Sequence, residues 1–114
     1  MMKVKTSELT GAALDWAVAK CEDNGGVWCV SDGDVVPFTP STDWAQGGPI
    51  IERELIDIQA KFVDGNKWYW RATTVNEKDA EYWSDGPTML IATMRCYVAS
   101  ELGDEVEIPE ELVQ

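Results

Sequence analysis

A tight turn followed by an alternating aromatic segment is the feature that most constrains the fold of this chain. Residues 64–66 read Asp-Gly-Asn, which is typical of a turn, and residues 67–73 read Lys-Trp-Tyr-Trp-Arg-Ala-Thr. Successive side chains of a strand point to opposite faces, so this alternation puts three apolar residues on one face: Trp68, Trp70 and Ala72. Paired with residues 58–63 before the turn, the segment predicts an antiparallel hairpin.

A second hairpin is predicted over residues 27–38. Residues 27–30 read Val-Trp-Cys-Val, an Asp-Gly-Asp turn follows, and residues 35–38 read Val-Val-Pro-Phe. Because Pro37 has no N–H to donate, the second strand should lie at an edge or end there. Short extended segments are also expected at residues 1–5 and 106–113, with one helical turn after Pro109. Residues 75–85 are acidic and irregular, and we expect an exposed, mobile loop.

Three helices are predicted, at about residues 10–22, 49–55 and 87–102. Apolar residues recur at helical spacing in the first segment and form a broad apolar face in the third. Pro49 and Pro87 suit a first helical turn, where a proline gives up an N–H that the helix does not use. The third helix should end at Gly103.

These elements predict an α+β fold in a single small domain spanning residues 1–114, with helices packed against an antiparallel sheet of three to five short strands. Six tryptophans indicate either a well-filled core or an exposed aromatic surface, and core or boundary packing is the simpler interpretation.

Residues 39–54 hold all but one of the candidate binding residues, and the other is Arg95. Three capping side chains precede Trp44, and a Gly-Gly-Pro sequence then breaks the chain before the second helix. We expect first a structural crossover, with recognition by Trp44 and the backbone near the glycines as a second role. Two arginines, Arg53 and Arg95, have two possible roles. Either they pair with Asp43 or another acid and hold the loop in place, or they belong to the binding site. The full candidate set is Ser41, Thr42, Asp43, Trp44, Gly47, Gly48, Pro49, Arg53 and Arg95.

The charge balance argues against direct nucleic-acid binding. Nine Lys and Arg residues against 21 Asp and Glu residues give a net charge of −12, whereas phosphate recognition needs a basic face. No basic residue follows Arg95, and six acids do. A solvated acidic end is the simplest interpretation. The alternatives are an acidic surface that docks on a basic partner, or one that imitates the charge of DNA.

Catalytic and metal chemistry find little support in the residue types. The chain has no histidine, which excludes Ser-His-Asp, Cys-His and His-based metal sites within it. Cys21, Cys29 and Cys96 lack the spacing of a zinc site, and we expect core thiols kept reduced in a cytoplasm. No phosphate-binding glycine motif, export signal or membrane span is recognisable. We therefore expect no cofactor, no metal and no membrane partner.

Three long motifs in the same order resemble NinX, a family of small proteins of lambdoid bacteriophages and prophages. They lie at residues 3–19, at residues 40–54, which read Pro-Ser-Thr-Asp-Trp-Ala-Gln-Gly-Gly-Pro-Ile-Ile-Glu-Arg-Glu, and at residues 86–106, which begin Gly-Pro-Thr-Met-Leu-Ile-Ala. The later two motifs also resemble, more distantly, phage αβα-sandwich domains, which implies helices on both faces of a small sheet. The resemblance implies an infected bacterial cytoplasm and carries no catalytic residues to this chain.

Two functions are compatible with these observations. The first is a phage or prophage accessory protein without enzymatic activity, which binds a host or phage protein through its acidic surface and exposed aromatics. The alternative is a small-ligand-binding domain or a carboxylate-dependent hydrolase with a cleft beside residues 41–49, using acids such as Asp43 and Glu52.

Overall fold

The computed structural model describes residues 1–22, 28–31, 33–63, 65, 67–75 and 79–113. These residues form three helices: α1 (Gly11–Glu22), α2 (Trp44–Arg53) and α3 (Met89–Leu102). They also form seven strands: β1 (Met2–Lys5), β2 (Trp28–Ser31), β3 (Asp34–Pro37), β4 (Asp57–Val63), β5 (Lys67–Val75), β6 (Glu81–Gly86) and β7 (Glu105–Ile108). Two short 3-10 turns occur at Thr6–Glu8 and Glu110–Leu112.

Strands β4, β5 and β6 form an antiparallel sheet with β5 in the centre. Strand β1 pairs with β7 and β2 pairs with β3, each as a two-stranded antiparallel sheet. The hairpins predicted at residues 58–73 and 27–38 and the extended segments near both ends are therefore confirmed. Residues 27, 32, 64 and 66, which include predicted turn positions, lie outside the described residues.

Helix α3 is the centre of the core. It covers one face of the β4–β5–β6 sheet and also contacts α1 and α2. Because it has neighbours on several sides, it is buried nearly all round, and Ala92, Met94, Cys96 and Val98 are fully inaccessible. The sheet contributes alternate residues to this core, of which Ala72 is fully buried and Thr74 nearly so.

The opposite face of the β4–β5–β6 sheet is open. Residues of that face on β5 and β6, such as Tyr69, Arg71 and Trp83, are half-buried or exposed, and the helices of the described chain pack on the α3 side. The α+β fold is confirmed. The described helices do not form the sandwich with helices on both faces that the more distant resemblance implied.

Helix α2 differs from the prediction that it begins at Pro49. The helix begins at Trp44, after Asp43 accepts a hydrogen bond from the N–H of Ala45 (2.9 Å), and it continues through both glycines and Pro49. The N–H of Gly47 donates to Asp43 O (2.9 Å), so the first turn closes before the proline. A proline at position 49 removes only the bond to Ala45 O, and both residues are exposed, which leaves that carbonyl accessible to water.

The prediction of a loop over residues 75–85 is also wrong for its second half, because Glu81–Gly86 forms a strand that is hydrogen-bonded to β5. Residues 76–78 lie outside the described residues. Helix α3 accordingly begins at Met89, two residues later than expected, and Thr88 caps it by accepting a hydrogen bond from Ile91 N (3.1 Å).

Candidate binding surfaces

Residues 39–54 form a fixed crossover from β3 into α2. The Gln46 side chain clamps it, because its Oε1 accepts from Thr39 N (2.6 Å) and its Nε2 donates to Pro37 O (3.0 Å). Ser41 is buried, and its N–H donates to a carboxylate oxygen of Asp15 on α1 (2.9 Å). Sequence reasoning missed Asp15 and Gln46 as anchors. The one signal for Asp15 was a charge that interrupts the apolar start of α1.

Burial of Asp15 raises the pKa of its carboxyl above the ordinary value, and the hydrogen bonds with Ser41 offset only part of that shift. The crossover therefore uses a carboxylate that is costly to ionise, because Ser41 N–H needs an acceptor inside the protein.

The two glycines of the crossover have different roles. A Cβ atom on Gly47 would lie 2.6 Å from Pro40 O and 2.7 Å from Leu90 Cδ2, so this position needs glycine for close packing of α2 on α3. A Cβ atom on Gly48 would meet nothing closer than the Trp44 ring at 4.0 Å. Pro49 and Thr42 are exposed on the surface of the crossover.

Trp44 is 51% exposed and lines a cleft of about 450 Å³ between the start of α2 and the start of α3. Trp70 and Ser41 line the same cleft. Its described lining residues include no carboxylate, and the Asp43 carboxylate already caps α2. The geometry suits an aromatic or apolar ligand group better than hydrolysis by paired acids.

Arg53, the last residue of α2, connects the last residue of α1 to the interior of α3 instead of binding Asp43. Its guanidinium donates to both carboxylate oxygens of Glu22 on α1 (3.1 and 2.6 Å), to Glu54 (2.8 Å) and to the hydroxyl of Tyr97 on α3 (3.2 Å). Burial tends to raise the pKa of Glu22, but hydrogen bonds from Arg53 and Tyr97 outweigh it and the net pKa is lowered. The prediction of a structural pairing with an acid is confirmed for Arg53.

Arg95 donates hydrogen bonds to backbone carbonyls, and among the described residues it forms no ion pair with Asp43 or another acid. It donates to Leu9 O (2.7 Å), just before α1, and to Asp85 O (2.8 Å), at the end of β6. Arg53 binds near the last residue of α1, and a 12-residue helix is roughly 18 Å long. The structure therefore keeps Ser41–Pro49 together but separates the two arginines from each other.

The exposed aromatics lie elsewhere, on the β4–β5–β6 sheet. Trp68 is 65% exposed, and its ring packs against that of Phe62 (centroids 5.0 Å apart), which is 55% exposed. On the open face, Arg71 stacks over Trp83 (4.3 Å to the ring centroid), which is 57% exposed. Arg71 also forms an ion pair with Asp85 (2.8 Å). Phe62, Trp68, Tyr69 and Trp83 are hereafter the sheet aromatics.

A groove of about 850 Å³ runs along β6 beside these residues. Its lining includes Trp68, Tyr82 and Trp83 of the sheet, Arg95 and Ala99 of α3, and Asp104. A smaller groove of about 420 Å³ shares Trp83, Ser84 and Asp104 and extends toward the end of the β1–β7 sheet at Lys5 and Glu105. Sequence reasoning did not find this groove, because β6 itself was interpreted as a loop.

The acidic C-terminal part is not an uninterrupted row of carboxylates. In the register of the β1–β7 sheet, Glu107 lies opposite Lys3 and Glu105 opposite Lys5, so basic residues stand directly across from two of the acids. This pattern weighs against an imitation of the evenly charged DNA backbone.

Of the two cysteines whose side chains are described, Cys21 is half-buried and Cys96 is buried. Burial raises the pKa of both Cys21 and Cys96 to about 12, which leaves them protonated at neutral pH. Both are free thiols, and the Cys29 side chain lies outside the described residues. Within the part of the chain that is described, no group of three or more acidic or cysteine side chains is placed to hold a metal ion.

The fold and its surfaces define a small acidic α+β protein with exposed aromatics on one sheet. Residues 5–101 match the family described as Bacteriophage P22, NinX, and the chain belongs to that family. A search of curated proteins found no match. Family membership supports a phage accessory protein. None of the helices among the described residues has the length and apolar character needed to cross a membrane.

Proposed function

We propose that this phage accessory protein acts without catalysis, by binding a host or phage protein through the sheet aromatics. The observation that carries the proposal is that Phe62, Trp68 and Trp83 are each more than half exposed on one three-stranded sheet. The setting that we propose is the cytoplasm of the infected bacterium.

Exposure of these rings is costly in the free protein. A tryptophan or phenylalanine has a large apolar surface, and its burial is favourable by roughly 25 cal/mol per Å². Phe62 and Trp68 lie together on the face of the sheet that carries Ala72, and Trp83 lies on the open face beside Arg71. Exposed aromatics and arginine are the residue types that dominate binding energy at protein interfaces. Because Arg71 stacks on Trp83 and is held by Asp85, this part of the surface is ordered before a partner arrives.

The test is quantitative capture of crosslinked partners from infected cells, with wild type, Trp83→Ala and Trp68→Ala compared in parallel. Trp44→Ala is the matched control, because Trp44 is similarly exposed but lies in the crossover. We expect at least a tenfold loss of one specific partner with Trp83→Ala or Trp68→Ala, as for a binding hot spot. We expect no comparable loss with Trp44→Ala. Equal recovery with all variants would refute the proposal.

Small-ligand binding in the cleft beside Trp44 is the second candidate function. It is favoured by Trp44 and Trp70 lining one cleft of about 450 Å³, which is within the usual size of small-molecule sites. A ligand-observed NMR screen with nucleosides, amino acids and aromatic acids tests it. A binder that is lost on Trp44→Ala supports this function, and a screen without such a binder removes it.

A further inference from the structure

We propose that the groove beside β6 binds an extended, basic segment of the partner protein, which pairs with β6 as an additional strand. This inference rests on the proposed function, because it names the mode of recognition and the chemistry of the partner. The argument depends on the position of β6, on the residues that alternate along it, and on the charge of the groove.

Strand β6 lies at the edge of its sheet. Its hydrogen-bonded neighbour is β5, and the groove of about 850 Å³ lies along it. An edge strand presents backbone N–H and C=O groups that another extended chain can bind. Strand β6 contains neither lysine nor proline, two residues that commonly prevent such pairing.

The side chains of β6 on the open face follow the order acid, aromatic, acid: Glu81, Trp83 and Asp85. A strand paired with β6 places its own alternate side chains opposite these three. The complementary segment therefore has basic residues two positions on either side of an apolar residue. Trp83 contacts the apolar residue, and the two acids lie opposite the basic ones.

The charge around the groove favours the same partner. The carboxylates lining it are Glu81, Asp85 and Asp104. Asp85 is paired with Arg71 (2.8 Å), whereas Glu81 and Asp104 form no ion pair within the described residues, so Glu81 is the stronger of the two β6 acids for a basic partner. The one arginine among the described lining residues, Arg95, donates to two backbone carbonyls. With a net charge of −12 for the whole chain, a basic segment is attracted both locally and over distance.

A second copy of this chain is a poorer occupant. If two β6 strands paired antiparallel with Trp83 opposite Trp83, Glu81 of each copy would lie opposite Asp85 of the other. Like charges placed directly opposite one another destabilise a strand pair. The acids of β6 thus disfavour self-association and select a partner of opposite charge.

The test uses the intact protein and the peptide acetyl-Thr-Lys-Thr-Val-Thr-Lys-Thr-amide, followed by ¹H–¹⁵N NMR titration. We expect salt-sensitive binding with the largest amide shifts in β6, and weaker binding of the peptide with Glu in place of both Lys. Glu81→Lys should weaken binding roughly three- to tenfold, from the charge-pair energies of exposed sites. Glu110→Lys changes the net charge equally but lies on the exposed turn after Pro109, and it should have a much smaller effect.

Two N-methylated peptides separate strand pairing from contact by side chains alone. Methyl groups on the Lys and Val amides block one edge of the peptide, and methyl groups on the intervening Thr amides block the other. Strand addition uses one edge, so one isomer should bind and the other should not. Equal binding of both isomers, loss of both, absence of binding by the parent peptide, shifts centred away from β6, or a dimer at NMR concentration would each overturn the inference.

This result can be separated from the proposed function. If Trp83→Ala removes the partner from infected cells but the peptides show no edge dependence, the partner binds the sheet aromatics in another way. If the peptide pairs with β6 but the tryptophan variants retain every partner, the proposed function is wrong and the groove binds a different chain.

Discussion

Replacing Gly47 with alanine tests whether close packing, and not backbone freedom, explains the glycines of the crossover. The new Cβ atom would lie 2.6 Å from Pro40 O, which is a backbone atom and cannot rotate away, and 2.7 Å from Leu90 Cδ2, which can. Overpacking of this kind costs roughly 1–3 kcal/mol. Alanine at the same time improves helix propensity by up to about 1 kcal/mol.

Gly48→Ala supplies the matched control, because it lies in the same helix and its Cβ atom would meet only the Trp44 ring at 4.0 Å. The propensity gain is common to both variants, so the difference between them reports the steric cost at Gly47. We expect Gly48→Ala to be unchanged or up to about 1 kcal/mol more stable than wild type. Gly47→Ala should then be about 1–3 kcal/mol less stable than Gly48→Ala.

Urea unfolding followed by tryptophan fluorescence and circular dichroism measures both variants. The free energies are comparable only if the dependence on urea concentration has the same slope in each case. Equal stabilisation by both alanines would show that α2 is free to move away from Pro40. The packing argument for Gly47, and with it the fixed position of Trp44, would then be refuted.

Three further substitutions test the polar anchors. Asp43→Ala removes the cap of α2 and should cost about 1 kcal/mol in urea unfolding, and an unchanged midpoint would contradict the cap. Asp15→Asn keeps an acceptor for Ser41 N–H but removes a carboxyl whose pKa is raised by burial. The variant should therefore be more stable than wild type at pH 7, where the buried carboxyl is ionised. The two proteins should be equally stable once the pH falls below the pKa of Asp15 in both the folded and the unfolded state. Arg53→Gln should destabilise the protein by about 1 kcal/mol or less at pH 7, because it removes a partner that lowers the pKa of Glu22 in the folded state. This contribution to stability is present above the pKa of Glu22 in the unfolded chain. It is lost as the pH falls through the lower pKa of the folded state, so the variant and wild type should converge in acid. A pH-independent loss with Arg53→Gln would contradict this linkage.

Local sequence patterns were sufficient to predict the elements whose side chains alternate with the period of a strand or a helix. Strand β5 was predictable because its alternation has the period of a strand, and α3 because its apolar face has the period of a helix. Strand β6 was missed because Glu, Asp and Gly make up half of it, and these residues disfavour strands. Pairing with β5 and packing under α3 stabilise it, and neither partner is visible in a local window.

The capped turn at Trp44 was predicted, but it was separated from the second helix for a different reason. The Gly-Gly-Pro sequence was interpreted as a break, although Asp43 in front of Trp44 is a strong capping signal. A cap satisfies N–H groups of the first turn, and one lost hydrogen bond at Pro49 did not outweigh burial of Ile50 against the core.

The candidate surface was hardest to predict, since exposure depends on how far one element covers another. Trp68, Trp70 and Ala72 lie on the same face of β5, as predicted, yet burial falls from complete at Ala72 to 65% exposure at Trp68. The face is covered beside Ala72 and open toward the hairpin end, where Trp68 packs only partly on Phe62. The glycines and polar residues at positions 39–54 thus mainly position the crossover against α1 and α3. The exposed surface is formed instead by aromatic residues that the sequence pattern assigns to the core. In a small α+β protein, a tryptophan near the end of a strand is therefore a better candidate for recognition than a glycine inside a helix.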